Sequence, residues 1–209
     1  MKRWMVCLLA SIAWLAVGAA GAQPVEGKDY VKLKNPQPVE SGKKIEVIEF
    51  FSYGCPHCAD LEPTLDAWLA KLPPDVEFKR VPVIFQPKWE PLAKIYYTLD
   101  ALGVERQLSP EVFKAIHSAG LALYQDKVFF DWAAAHGVDR AKVQDVYNSF
   151  GVTSKFNRAK ALVQAYNIQS VPTVIVDGKY STSERLPHPE YPSVIDALIV
   201  KARAERGKA

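Results

Sequence analysis

The sequence is poor in cysteine. Only Cys7, Cys55 and Cys58 occur among its 209 residues, and Cys7 lies in an N-terminal segment that is predicted below to be removed. A single remaining pair excludes the framework of several disulfides that stabilises small secreted domains. A lone structural bond between Cys55 and Cys58 is one alternative, but a loop this short gains little stability from such a bond. The pair is therefore interpreted as functional.

The sequence also lacks a marked excess of charge. It has 26 Lys and Arg residues against 23 Asp and Glu residues, and loss of Lys2 and Arg3 with the N-terminal segment leaves 24 against 23. Binding to nucleic acid or to anionic membranes usually requires a clear positive excess. We therefore expect no nucleic acid partner.

Patterns that hold metals and cofactors are missing as well. A zinc site needs a second pair of ligands, and the histidines outside the cysteine motif, His117, His136 and His188, are scattered. Covalent haem attachment needs a histidine directly after the second cysteine, where this chain has Ala59. The sequence contains no glycine-rich phosphate loop. We expect neither a metal nor another cofactor.

The N-terminus has the pattern of a secretory signal peptide. Lys2 and Arg3 precede an apolar run over residues 4–17, and Ala-Gly-Ala at 20–22 forms a small-residue cleavage site. The run is shorter than the about 20 residues that a membrane-spanning helix needs. Residues 1–22 are therefore predicted to be cleaved after export, with an uncleaved membrane anchor as the alternative.

The first part of the mature chain predicts a strand, a helix and a second strand. Residues 45–51 are almost continuously apolar, as in a strand covered on both faces. Helical spacing of apolar residues follows at 59–72, and alternation between apolar and polar residues at 76–83 indicates another strand. Residues 23–44 show no regular pattern and are predicted to be irregular.

Helical spacing then dominates residues 88–167, before strand character returns at 173–176. A hairpin turn follows that strand, and a closing helix is predicted at 190–206. Within the helical block, helices are predicted at 91–102, 110–117, 126–136, 140–150 and 153–166. The order is therefore β-α-β, a helical block and β-β-α, which predicts an α/β fold interrupted by a helical insertion.

Cys55-Pro56-His57-Cys58 lies where the first strand gives way to the first helix. Cys55 precedes the helix, whose partly positive N-terminus favours a thiolate, and is expected to be exposed. Cys58 lies inside the first turn and is expected to be more buried. His57 would further stabilise the Cys55 thiolate, and Pro56 starts the helix without losing a needed backbone donor. The motif predicts thiol–disulfide exchange with Cys55 as the nucleophile.

Two segments resemble a known family. The run EFFSYGCPHC at 49–58 resembles the active-site segment of DsbA-type thiol:disulfide oxidoreductases of the bacterial periplasm, which belong to the thioredoxin superfamily. The run SVPT at 170–173 resembles the superfamily's cis-proline loop. The resemblance implies a thioredoxin-like domain formed by residues 23–86 and 168–209, with an all-helical insertion at 87–167.

The resemblance also implies roles for individual residues. Cys55 would attack and carry the mixed disulfide, and Cys58 would resolve it. Val171 and Pro172 would lie against the dithiol, with a cis bond before Pro172 and with the Val171 backbone free to pair with an extended substrate peptide. Without the resemblance, Pro172 would be interpreted as the start of an edge strand.

Glu49 is a carboxylate in an apolar strand, which is costly to bury without a partner or a role. The resemblance implies that it lies near the thiols, assists proton transfer and pairs with a basic residue on the next strand. Arg80 and Lys79 are both candidates for that partner, and a solvated glutamate at a sheet edge is the alternative to burial. Gly54 departs from the bulkier residue that is more common at this position of the family.

The functional hypothesis is a periplasmic protein that donates its Cys55–Cys58 disulfide to newly exported proteins with free cysteines. By analogy with the family, a DsbB-type quinone-linked membrane protein would reoxidise it, and the protein would be a monomer. A disulfide isomerase or reductase on the same fold is the nearest alternative. A periplasmic chaperone that binds peptides without using its thiols is the alternative from another functional class.

Overall fold

The computed structural model describes residues 23–207, and the predicted signal peptide at 1–22 lies outside them. Its strands are β1 (Tyr30–Lys32), β2 (Ile45–Phe51), β3 (Val76–Pro82), β4 (Thr173–Val176) and β5 (Tyr180–Thr182). Its α-helices are α1 (Pro56–Leu69), α2 (Trp89–Ala101), α3 (Glu105–His117), α4 (Asp126–Ala135), α5 (Arg140–Tyr147), α6 (Phe150–Ala165) and α7 (Tyr191–Arg206). A single turn of 3₁₀-helix at His188–Glu190 leads into α7.

The strands form one mixed sheet in the order β1-β5-β4-β2-β3. Strand β2 runs parallel to β3 on one side and antiparallel to β4 on the other. Every residue of β2 is buried, as the continuous apolar run at 45–51 predicts for a strand covered on both faces. The loop that follows β2 therefore starts from a strand that is paired on both sides, and it places Cys55 beyond the C-terminal end of that strand.

Each face of the sheet has its own hydrophobic core, because alternate residues of β2 point to opposite sides. Val47 faces α1 and α7, whereas Ile48 and Phe50 face the helices inserted between β3 and β4. The first core includes Leu61, Leu65, Val174, Ile195 and Leu198. The second includes Ile95, Leu99, Val112, Phe129 and Ala159.

The order of elements confirms the predicted α/β fold with a helical insertion, which consists of α2 to α6. The predicted start of α3 at Pro110 is wrong. The helix begins at Glu105 and continues through Pro110. Pro110 lies inside the helix and has no backbone N–H, so the hydrogen bond that residue 110 would donate to the preceding turn is lost. Glu105 favours the earlier start because it places an acidic side chain at the partly positive end of the helix.

Two other expectations about local structure are wrong. Helix α6 begins at Phe150 rather than Thr153, because the Ser149 hydroxyl accepts a hydrogen bond from the Val152 backbone N–H and caps the helix there. Residues 23–44 are not entirely irregular. The three residues of β1 pair antiparallel with β5, a long-range contact that no local pattern could indicate.

Candidate active site at the dithiol

The junction between β2 and α1 fixes the position of Cys55. Cys55 occupies the N-cap position and Pro56 the first helical position, so helix α1 begins as the motif predicts. The Cys55 backbone N–H donates to the Ser52 carbonyl over 3.0 Å, and the Ser52 hydroxyl accepts from the Gly54 N–H over 3.1 Å. The loop before the motif is therefore held by its own hydrogen bonds.

The loop at 170–173 covers the dithiol. The Val171–Pro172 peptide bond is cis, as the resemblance implies. The Cys55 thiol donates to the Val171 carbonyl over 3.5 Å, and the Tyr191 hydroxyl donates to the Pro172 carbonyl over 3.3 Å. Val171, which lies 116 positions further along the chain, is thus brought within contact distance of Cys55.

Both cysteines are free thiols in this structure. The expectation that Cys55 is exposed is wrong, since only 5% of its surface is accessible beside the Val171 loop. Cys58 is fully buried, as expected. Between the two thiols, Pro56 and His57 are exposed. The exposed surface of the motif is therefore formed by Pro56 and His57 rather than by the two thiols.

The environments of the two thiols shift their pKa values in opposite directions. Hydrogen bonds from the Cys58 thiol and from the Cys58 and His57 backbone N–H groups lower the pKa of Cys55 to about 6. The His57 imidazole contributes in the same direction through its charge. Burial raises the pKa of Cys58, and the hydrogen bond to Cys55 raises it further. Cys55 is therefore the thiolate at neutral pH, and Cys58 holds its proton.

A second histidine lies near the motif. The ring of His188, in the turn before α7, is 6.3 Å from the His57 ring between centroids and 6.2 Å from the ring of Tyr191. In the sequence, His188 is only one of several scattered histidines. No local signal indicates its proximity to His57, because the two residues belong to distant parts of the chain.

The strand register identifies the partner of Glu49. Parallel pairing of β2 with β3 places Arg80 opposite Glu49, and the Arg80 Nε donates to Glu49 Oε2 over 2.8 Å. Lys79 instead bonds to Glu46 over 2.8 Å, so Lys79 is not the partner. Glu49 is 1% exposed, which rules out the solvated glutamate. Burial raises its pKa.

Two further carboxylates join this ion pair, and neither was predicted from the sequence. Glu62 of α1 accepts from Arg80 through both oxygens, over 2.7 and 3.1 Å, and Glu105 of α3 accepts over 3.1 Å. Burial raises the pKa of Glu62 to about 8. An acidic residue within the apolar stripe of α1 is a signal that could have identified Glu62. Glu105 has no such signal.

Comparison with known proteins agrees with the geometry. Residues 46–188 match the profile of the DSBA-like thioredoxin domain. The thiol:disulfide interchange protein DsbA of Burkholderia cepacia is 41% identical over 99% of this chain and 100% of its own length. The chain belongs to the DsbA family. It is therefore a thiol:disulfide oxidoreductase with a thioredoxin-like fold.

Solved structures of DsbA proteins are similar to the whole described fold. The crystal structure of Pseudomonas aeruginosa DsbA has a TM-score of 0.83 at 40% identity and covers 87% of this chain and 95% of its own. DsbA from Xylella fastidiosa has a TM-score of 0.80 at 32% identity and covers 87% of this chain and 99% of its own. The helical insertion is thus shared with these DsbA structures.

Residues 23–207 show neither the side-chain cluster of a metal site nor a membrane-spanning helix. In that range, no group of three or more His, Cys, Asp or Glu side chains is arranged to hold a metal ion. No helix of the same range combines the length and the apolar character needed to cross a bilayer. The groups gathered at the DsbA-type motif are thiols, imidazoles and carboxylates, which suit transfer of disulfides and protons.

Gly54 lies against the first turn of α2. A Cβ at this position would be 2.7 Å from Trp89 Cδ1 and 3.1 Å from a methyl group of Leu92. The Trp89 ring also packs on the exposed Phe85 ring, with centroids 5.9 Å apart. The indole of Trp89 thus occupies the space beside the motif that a larger residue 54 would fill.

We predict that Gly54→Ala lowers the free energy of unfolding by about 1–3 kcal/mol, because the new methyl group overlaps the Trp89 ring. Urea denaturation of the oxidised protein measures this. Gly151→Ala is the matched control, since its Cβ would meet only the Ser149 hydroxyl at 3.8 Å within a helix. Equal stability of Gly54→Ala and the parent would show that Trp89 does not constrain residue 54.

Proposed function

We propose that this protein is a periplasmic disulfide donor that oxidises newly exported proteins through a mixed disulfide at Cys55. The observation that carries the proposal is the placement of the two thiols, with Cys55 at the N-cap of α1 beside the exposed His57 and Cys58 fully buried one turn into the helix. This placement lowers the pKa of Cys55 to about 6 and raises that of Cys58. A stabilised thiolate favours the reduced form of the pair, so the disulfide form gives up its bond readily.

The reaction has two exchanges. A substrate thiolate attacks the Cys55 sulfur, the Cys55–Cys58 bond breaks, and Cys58 leaves as a thiolate that takes up a proton. A second substrate thiolate then attacks the substrate sulfur of the mixed disulfide, and Cys55 leaves as its stabilised thiolate. The substrate loses two electrons and gains a disulfide, and the protein is left as the dithiol.

The residues around Cys55 have supporting roles in this proposal. The Val171 backbone would pair with an extended substrate peptide, because its carbonyl already contacts the Cys55 sulfur. Pro172 would hold that backbone in place, and Pro56 would keep Cys55 at the helix N-cap. His57 is exposed beside the sulfur and would stabilise the leaving thiolate.

The proposed domain division assigns the dithiol and the cis-proline loop to residues 23–86 and 168–209, and the insertion to 87–167. Of these ranges, residues 208–209 lie outside the described structure. The insertion supplies Trp89 beside Gly54 and Glu105 beside Arg80. It would therefore shape the surface and the electrostatics of the site.

The proposed partners follow from the chemistry. Substrates would be unfolded or folding exported proteins with free cysteines, and the predicted signal at 1–22 would take the chain to the same compartment. A DsbB-type membrane quinone oxidoreductase would return the dithiol to the disulfide. The protein would act as a monomer and without a metal or other cofactor.

Oxidation of a reduced, unfolded model protein tests this function. Oxidised protein in slight excess should convert the substrate thiols to disulfides stoichiometrically, with an equal amount of Cys55–Cys58 dithiol produced. Rapid reshuffling of a scrambled-disulfide substrate with little net oxidation would instead favour the isomerase. Suppression of aggregation without any change in thiol content would favour the chaperone.

A further inference from the structure

Arg80 connects three buried or partly buried carboxylates that come from three different elements. Glu49 lies on the neighbouring strand β2, Glu62 on α1 and Glu105 on α3. The Arg80 side chain is 5% exposed, and those of the three acids are 1%, 5% and 14% exposed. Asp66 of α1 lies 3.9 Å from the same guanidinium but is 44% exposed. We call Glu49, Glu62, Arg80 and Glu105 the buried charge cluster.

The charges of this cluster do not balance when every group is ionised. Arg80 keeps its positive charge at any ordinary pH, whereas three ionised carboxylates would leave a net charge of about −2 within the protein. Burying unpaired charge is costly, so acids that share a site retain protons above their ordinary pKa values. Arg80 cannot release a proton, which leaves the carboxylates as the only members that can exchange one.

Glu105 is held in the cluster from its own helix. Its Oε1 atom accepts from the Ser109 hydroxyl over 2.8 Å as well as from Arg80. The Ser109 hydroxyl also bonds over 2.5 Å to the hydroxyl of Tyr53, two residues before Cys55. Ser109 and Tyr53 are both buried. Helix α3 therefore presents its first carboxylate to the cluster in a fixed position.

The cluster borders a cavity on one side. This cavity of about 320 Å³ is lined by Asp66, Arg80 and Glu105, together with Arg106. Glu49 and Glu62, by contrast, are buried and do not line it. Of the three carboxylates in the cluster, Glu105 is thus the one that borders the cavity.

We propose that Glu105 is a positioning residue for disulfide exchange. Its carboxylate is the third to bind Arg80, and the additional negative charge keeps a proton on Glu49 or Glu62 at neutral pH. The charged and titratable groups that face Glu49 are Arg80 from β3, Glu62, Asp66 and Cys58 from α1, Glu105 from α3 and Tyr191 from α7. Removing the Glu105 charge leaves two acids on one cation, so the proton is released at lower pH. The consequence for turnover rests on the proposed function, in which Cys58 takes up a proton as it leaves the disulfide, together with the proton-transfer role that the family resemblance implies for Glu49.

Carboxyl ¹³C NMR of labelled, reduced protein tests the proposal directly. The Glu49 carboxyl signal is the one that disappears in the Glu49→Gln variant. Its titration midpoint should lie about one pH unit lower in Glu105→Gln than in the parent. Glutamine at 105 retains an oxygen that can accept from Ser109 and Arg80, so the fold should be kept. An unchanged or raised midpoint would overturn the proposal.

Two variants separate charge from structure in the same titration. Glu105→Asp keeps the negative charge at the cavity, so its Glu49 midpoint should stay close to that of the parent even though the shorter side chain weakens the contact with Ser109. A fall equal to that of Glu105→Gln would contradict a role of the charge. Glu111→Gln, on the same helix but 45% exposed and beside Lys114, should leave the midpoint unchanged. The NMR readout does not depend on disulfide donation and can fail independently of it.

Discussion

Replacing Cys55 with serine should abolish disulfide donation, with a loss of at least about 1,000-fold in the rate of substrate oxidation. The hydroxyl cannot form the disulfide that the substrate attacks, and Cys58 is too buried to replace it. The measurement is the rate at which a reduced, unfolded protein loses its thiols. The chaperone hypothesis makes the opposite prediction, because peptide binding at the cis-proline loop needs no thiol.

Cys58→Ser is the matched control for this experiment. It removes the same bond but leaves the Cys55 thiolate, so a substrate disulfide should become trapped as a stable mixed disulfide at Cys55. Non-reducing gel electrophoresis and mass spectrometry would identify this adduct. Donation by Cys55→Ser at the parent rate, or adducts at Cys58 instead of Cys55, would contradict the assigned roles.

Replacing Glu49 with glutamine should slow the exchange steps by about 10- to 100-fold while leaving the fold intact. Cys58 must take up a proton when it leaves the disulfide and release it when the protein is reoxidised, and it has no exposed surface to do so directly. The charge of Glu49 acts on Cys58, and its partner Arg80 cannot give up a proton. Stopped-flow fluorescence measures reduction of the oxidised protein by a small dithiol and reoxidation of the reduced protein by the corresponding disulfide.

Glu46→Gln provides the comparison for a general effect of removing a buried acid. Glu46 lies on the same strand and is 2% exposed, but its carboxylate pairs with Lys79 and not with Arg80. It should therefore change stability without changing the exchange rate. Equal rates in Glu49→Gln and the parent would reduce Glu49 to a structural member of the charge cluster.

The local features of the site could be predicted from the sequence. The apolar run of β2, the helical spacing after Cys58 and the short motif between them are sufficient to place a reactive cysteine at a helix N-terminus. The cis bond before Pro172 followed only from the resemblance, since most X-Pro bonds are trans. These features depend on residues that are close together in the chain.

The predictions that were wrong or left two alternatives depend on contacts between distant segments of the chain. The choice of Arg80 over Lys79 required the register of β2 against β3, which a one-residue slip would reverse. Predicting the burial of Cys55 would have required the position of Val171. Predicting the contact between Glu105 and Arg80 would have required the packing of helix α3 beside α1. No local pattern carries this information, because it arises from tertiary packing.

The reduction potential of the Cys55–Cys58 pair tests the central claim most directly. Equilibration with glutathione buffers should give a potential far above the reference value of about −270 mV for thioredoxin and close to the reference value of about −120 mV for the DsbA type. Above pH of about 6, where Cys55 is a thiolate, the potential should fall by about 30 mV per pH unit instead of about 59 mV. A potential near that of thioredoxin would contradict the account, because electrons would then flow from this protein to its substrates.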